Sequence, residues 1–114
     1  MPNKKIQLDP KVKKYMRSKS YKTTKTELLD QLERNGTLGK YYADLVDNYM
    51  DMWVTLLILS DDIKERGATV EWDNGGGQKG VKKNDSIEQS LKVNAQMLKI
   101  LDWLNLEPPA KADG

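Results

Sequence analysis

Residues 41–67, YYADLVDNYMDMWVTLLILSDDIKERG, decide how this chain must fold. Tyr42, Leu45, Tyr49, Met52, Leu56, Leu59 and Ile63 recur in alternating steps of three and four, a heptad-type seam. Val46, Met50, Trp53 and Leu57 form a second apolar row beside it. The pattern predicts a helix over 40–66, ended by Gly67, and at about 1.5 Å per residue it would reach roughly 40 Å. That is long for a small domain, and its apolar face is wider than one antiparallel partner covers. Two arrangements are open. The whole face is the core of a small bundle, or one row packs inside the subunit and the other against a neighbouring copy. A fully buried leucine or tryptophan contributes about 1.5–3 kcal/mol, so a few of them could hold an oligomer together.

The next apolar pattern is residues 86–109, SIEQSLKVNAQMLKILDWLNLEPP. Ile87, Leu91, Leu98 and Leu101 lie along one side, with Val93, Met97, Ile100 and Leu104 beside them; Asn94 interrupts the first row. A buried Asn94 would fix register, and an exposed one would mark the stripe's edge. A helix over about 85–105 is expected, capped by Asn84 or Asp85 and stopped by Pro108-Pro109. Trp53 and Trp103 are expected in the core. Between the two long helices, alternating flanks surround Asp73-Asn74-Gly75-Gly76-Gly77, which predicts a β-hairpin over about 69–82. Strands so short need support from the helices or from another subunit.

Upstream, Asp9-Pro10 reads as an N-cap with proline at the first helical position, opening a short helix to about Ser18 with Val12, Tyr15 and Met16 as a narrow docking stripe. Ser18 to Thr24 reads as a loop. Thr24 and Glu27 have capping-box spacing, predicting a second short helix over 26–34 with Leu28, Leu29 and Leu32 buried and Asn35-Gly36 as its stop. The expected fold is therefore mainly α: a long helical hairpin with a short β-hairpin between its arms and two short N-terminal helices. Residues 1–25 form a basic arm, 26–109 a helical oligomerisation domain, and 110–114 a mobile tail.

The 114 residues carry a net charge of +2, a mean hydropathy of −0.75, and neither cysteine nor histidine. Disulfides, thiolate nucleophiles and cysteine-ligated metals are thereby excluded, along with the commonest acid–base residue near neutral pH. No apolar run is long enough for a membrane helix, and the charged N-terminus does not resemble a signal peptide, so a cytoplasmic protein is expected. Charge is divided unevenly. Residues 1–25 hold Lys4, Lys5, Lys11, Lys13, Lys14, Arg17, Lys19, Lys22 and Lys25 against the single carboxylate Asp9, a segment charge of +8 that leaves −6 on the rest. A basic arm on an acidic body suits contact with a polyanion, and these nine residues are the candidate DNA-binding set. The candidate core or interface set is Tyr42, Leu45, Tyr49, Met52, Trp53, Leu56, Leu57, Leu91, Leu98 and Leu101.

Other motifs read as structural. Gly75 to Gly80 lacks the Lys-Ser/Thr that completes a phosphate loop and opens no helix. Asp44, Asp47, Asp51, Asp61 and Asp62 lie on the polar side of the long helix and read as a solvated face, with no metal and no nuclease site. Trp72 on the hairpin could stack a base. No cofactor is expected.

The order of these features resembles a known family. Residues 27–53, ELLDQLERNGTLGKYYADLVDNYMDMW, then DDIKERG, the glycine hairpin, and KKNDSIEQSLKVNAQMLKILDWLNLEPP at 82–109 are similar to the short helical small subunits of tailed-phage terminases. The similarity spans roughly 26–109, with Trp53 centred in a tyrosine-rich helix and a closing Leu104-x-Leu106-x-Pro108. Asn84-Asp85 stands where such proteins often have proline at a helix start. The resemblance implies a non-enzymatic DNA-packaging role in the infected bacterial cytoplasm. It implies a homo-oligomeric ring that binds double-stranded phage DNA and recruits or regulates the large ATPase–nuclease subunit. The alternatives are a small DNA-binding regulator, for which Asn35-Gly36-Thr37-Leu38-Gly39 is a loose helix-turn-helix candidate, and a structural head adaptor without DNA affinity.

Overall fold

The computed structural model describes residues 8–37 and 39–106. In chain order it contains α1 (Pro10–Met16), α2 (Lys19–Arg34), α3 (Lys40–Arg66), β1 (Thr69–Asp73), β2 (Lys79–Lys83) and α4 (Asp85–Trp103). The fold is mainly helical, with an antiparallel hairpin between the two long helices as the sequence predicts. Lys4, Lys5, the double proline and the expected tail at 110–114 lie outside the described residues.

α3 is the spine. Three contacts fix the direction of α1 and α2 along it: the Tyr15 hydroxyl donates to Asp61, Tyr21 meets Trp53 edge-on at 5.8 Å, and Lys25 pairs with Asp47 at 3.1 Å. As α1–α2 runs forward, α3 therefore runs backward beside it. α4 is also antiparallel to α3, since Ser86 reaches Asp62 while Ile100 and Leu104 share a core with Val46 and Met50. The wide apolar face of α3 thus has two partners, both from its own chain.

The first half of the second row of α3, with Val54 from outside both rows, supplies the centre. Val46 and Met50 are fully buried and Val54 nearly so, joined by Leu32, Met97, Ile100, Leu104 and Leu106. The heptad seam from Tyr42 to Ile63 is half-buried along its whole length. Asn94 is exposed at the edge of its stripe, so it fixes no register.

Four expectations are corrected. The second helix begins at Lys19, not 26, so Ser18–Thr24 is not a loop and the Thr24–Glu27 box is not its start. Ser18 is the cap: its hydroxyl accepts from the Tyr21 amide and donates to the Tyr15 carbonyl, and Tyr21 is anchored on Trp53. Packing of that ring overrides the weak helix preference of Thr23 and Thr24. The boundary placed at residue 25 therefore falls inside a continuous helix.

The last helix ends at Trp103, before the prolines. Asn105 takes the left-handed conformation (φ 53°), its amide bonds to Asp102 O at 3.0 Å and the Leu106 amide to Leu101 O at 2.9 Å. This Schellman closure turns Leu104 and Leu106 into the core. Gly36 ends α2 in the same way, with Thr37 bonded to Leu32 O at 2.9 Å. The third and fourth corrections concern burial on the outer faces. Trp103, expected in the core, is 66% exposed, because Ile100 and Leu104 take the inward positions of that turn. Leu29, expected to be buried, is 37% exposed, while Leu28 and Leu32 turn inward from that part of α2.

A polar knot joins the ends of α3 and α4. Asn84, wholly buried, donates through Nδ2 to the Gly67 carbonyl (2.9 Å) and Asp62 Oδ2 (3.3 Å), while Oδ1 accepts from the Ser86 amide (3.0 Å) and Arg66 (3.2 Å). Its backbone amide donates to Ala68 O at 2.8 Å, closing the base of the β-hairpin. All four hydrogen-bonding positions of the side-chain amide are used.

Candidate nucleic-acid and assembly surfaces

The basic candidates divide by element. Lys11, Lys13 and Lys14 lie on α1, Arg17 caps it, and Lys19, Lys22 and Lys25 follow on the first turns of α2. Lys25 is committed elsewhere: its ammonium pairs with Asp47, and that hydrogen bond raises its pKa. Lys14 stands 5.5 Å from the Tyr15 ring centre. Lys11, Lys13, Arg17, Lys19 and Lys22 are exposed, and among the described residues none has a carboxylate within ion-pair distance. Because α2 starts at Lys19, Lys19 and Lys22 lie one turn apart on the same side of a helix. The loop expected over Ser18–Thr24 would impose no such alignment.

Lys19 and Lys22 also sit where a helix least favours them. The first turn of α2 carries no acid, and a cation at a helix N-terminus costs about 0.3–1 kcal/mol at low salt. Further along, Glu27, Asp30 and Glu33 reverse the sign of the surface. The α1–α2 elbow is therefore a concentrated positive end on a helix that becomes acidic.

The apolar candidates separate as well. Tyr42, Leu45, Tyr49, Met52, Trp53 and Leu101 are half-buried and pack against the core. Leu56 and Leu57 are half-buried further along α3. Leu91 and Leu98 are 65% and 58% exposed, so they are not core residues. They stand on a face of α4 turned away from Met97, Ile100 and Leu104. Uncovered apolar side chains stand on α4, at Leu91, Leu98 and Trp103, and at Tyr41 near the start of α3. Sequence reasoning missed Tyr41 as a surface residue, although its place outside both apolar rows of α3 is a signal of that exposure. The radius of gyration is 18.5 Å, against about 13 Å for a compact chain of this length.

The acidic residues have structural partners. Asp61 accepts from Tyr15. Asp62 receives a bidentate Arg66 guanidinium at 2.6 and 2.8 Å and the Ser86 hydroxyl at 2.6 Å. The Arg66 and Ser86 hydrogen bonds hold its carboxyl well below the usual carboxylate range. Among the described residues no three acids converge to hold a metal ion, and no helix is long and apolar enough to cross a membrane.

The family model for the small subunit of phage terminase matches residues 23–113, most of the chain. The chain belongs to the phage terminase small-subunit family. Neither a curated protein nor a solved structure matches it. The family match takes in α3, the hairpin, α4 and most of α2, whereas α1 and the first cations of α2 precede it. Membership supports a role in phage genome packaging.

Proposed function

We propose that this terminase small subunit is a non-catalytic DNA-binding adaptor that assembles as a ring, grips double-stranded phage DNA and recruits or regulates the large ATPase–nuclease subunit in the host cytoplasm. The observation that carries the DNA reading is the α1–α2 elbow, where Lys11, Lys13, Arg17, Lys19 and Lys22 are exposed and, among the described residues, have no acidic partner. Lysines at the positive end of a helix are relieved when phosphate arrives beside them. Assembly is supported by the open apolar stripe Leu91–Leu98 on α4. A ring multiplies weak, salt-sensitive elbows into avid binding of one DNA.

A salt titration of DNA affinity tests the elbow. Neutralising Lys19 and Lys22 together as Lys19→Gln/Lys22→Gln should lower the slope of log K against log salt by about 1.8, roughly 0.9 for each lost phosphate contact. An unchanged slope removes the elbow from the DNA interface. Substitution is preferable to deleting residues 1–25, because that cut removes the Tyr21 ring from Trp53.

A further inference from the structure

Helix α1 cannot hold itself in place. It has seven residues and buries none of them, and isolated helices shorter than about 12–15 residues are marginal in water. Its position depends on a few contacts, and they meet at Tyr15. The Tyr15 hydroxyl donates to Asp61 of α3, 46 positions along the chain. Its carbonyl accepts from the Ser18 hydroxyl at 2.6 Å, and its ring centre lies 5.5 Å from the Lys14 ammonium. The Asp61 hydrogen bond raises the phenol's pKa, so the hydroxyl stays a donor at neutral pH.

The same contact decides which way the cations face. Val12, Tyr15, Ser18, Tyr21 and Thr24 follow at steps of three and are all half-buried, an inward line that passes from α1 into α2 through the Ser18 corner. Lys11, Lys13, Arg17, Lys19 and Lys22 lie off that line and are exposed. Tyr21 on Trp53 pins the α2 side of the corner, and Tyr15 on Asp61 pins the α1 side. Trp53 and Asp61 are eight positions apart on α3, about 12 Å along its axis. Without the second pin, Lys19 and Lys22 keep their places while α1 is free to swing.

We propose that Tyr15 and Asp61 are positioning residues for DNA: their hydrogen bond holds α1 so that Lys11, Lys13 and Arg17 meet the phosphate backbone together with Lys19 and Lys22. This rests on the elbow reading above and gives its α1 half a fixed geometry. It also makes Asp61 act against its own charge. A carboxylate beside a cationic surface repels phosphate, so charge alone requires that its removal strengthen DNA binding. Positioning requires the opposite. With the acceptor gone, α1 must be ordered at the moment of binding, and that entropy is taken from the affinity.

The test measures the affinity of the full chain for a linear DNA duplex across a range of salt. Tyr15→Phe, which changes no charge, and Asp61→Ala should each weaken binding about tenfold. Each should lower the slope of log K against log salt by up to about 2.7, which is 0.9 for each of Lys11, Lys13 and Arg17. The double variant should bind no more weakly than either single one, because both remove the same bond. Asp61→Asn keeps an acceptor oxygen and should bind at least as well as wild type. Three results overturn the proposal: Asp61→Ala binding as tightly as wild type or tighter, Tyr15→Phe with wild-type affinity, or Asp61→Asn no better than Asp61→Ala. If Asp61→Ala does not fold, Tyr15→Phe decides the matter alone. A wild type without DNA affinity, or an unchanged slope for Lys19→Gln/Lys22→Gln, overturns the elbow reading itself and the positioning role with it.

Discussion

Asn84 is the residue on which the junction of α3, the hairpin and α4 depends. Its side-chain amide satisfies the Gly67 carbonyl and the Ser86 amide from a fully buried position. Asn84→Ala leaves those groups without partners, and should lower stability by about 1–3 kcal/mol in urea unfolding. A loss within error would mean that water replaces the amide freely. Asp62 gives the same knot a pH dependence. Its folded pKa lies below its unfolded value of about 3.9, so its contribution is fully present above that pH. The contribution is lost as pH falls below about 4, when the unfolded chain takes up a proton that the folded carboxylate resists. Thermal melts from pH 7 to pH 2 should therefore fall less steeply on the acid side for Asp62→Asn than for wild type, although that variant starts lower at neutrality. Parallel curves would show that Asp62 contributes nothing to the acid limb. The sequence shows Asn84 as a helix cap and Asp62 as a surface acid. Their meeting was illegible because they lie 22 positions apart and are joined by a network that no local pattern encodes.

Among the elements, α3 and the hairpin were legible and α2 was not. The long helix has a strong apolar period and a terminal glycine, and the hairpin has alternating flanks around residues that take positive φ, Gly75 and Gly77. Helix α2 instead starts where a tyrosine docks on a tryptophan of another helix, which is a tertiary event. The hairpin behaves as a separate element, and Gly80 tests that separation. Gly80→Ala drives a methyl into the Trp72 ring at 2.6–2.8 Å and must displace it. Hydrogen exchange at the Trp72 and Lys82 amides, which face the opposite strand in hydrogen-bonded pairs of the ladder, should rise by an order of magnitude or more, while the melting temperature of the helices shifts little. A large fall in that temperature would mean the hairpin is structurally coupled to the core after all.

At the scale of the whole molecule, one helix serves two partners from its own chain, and the second of them, α4, keeps an apolar stripe uncovered. If the proposed assembly uses this stripe, Leu91→Lys/Leu98→Lys should abolish or shrink it in native mass measurement while preserving helical content, because both side chains are more than half exposed in the single chain. An assembly of unchanged mass would exclude the outer face of α4 from the contact. The sequence by itself determined the helical class, the length of α3, the hairpin, the charge of the N-terminal segment and the absence of thiol and imidazole chemistry. Each of these follows from composition or from a period shorter than a dozen residues. It could not decide which apolar row is core. Both rows of α3 have the same chemistry, and only the placement of α1–α2 and α4 around it buries Val46 and Met50 while leaving the heptad seam half-covered. It also could not show that Leu91, Leu98 and Trp103 face outward. Helical spacing ranks residues by angle, and the angle that becomes the interior is set by where the partner helices lie.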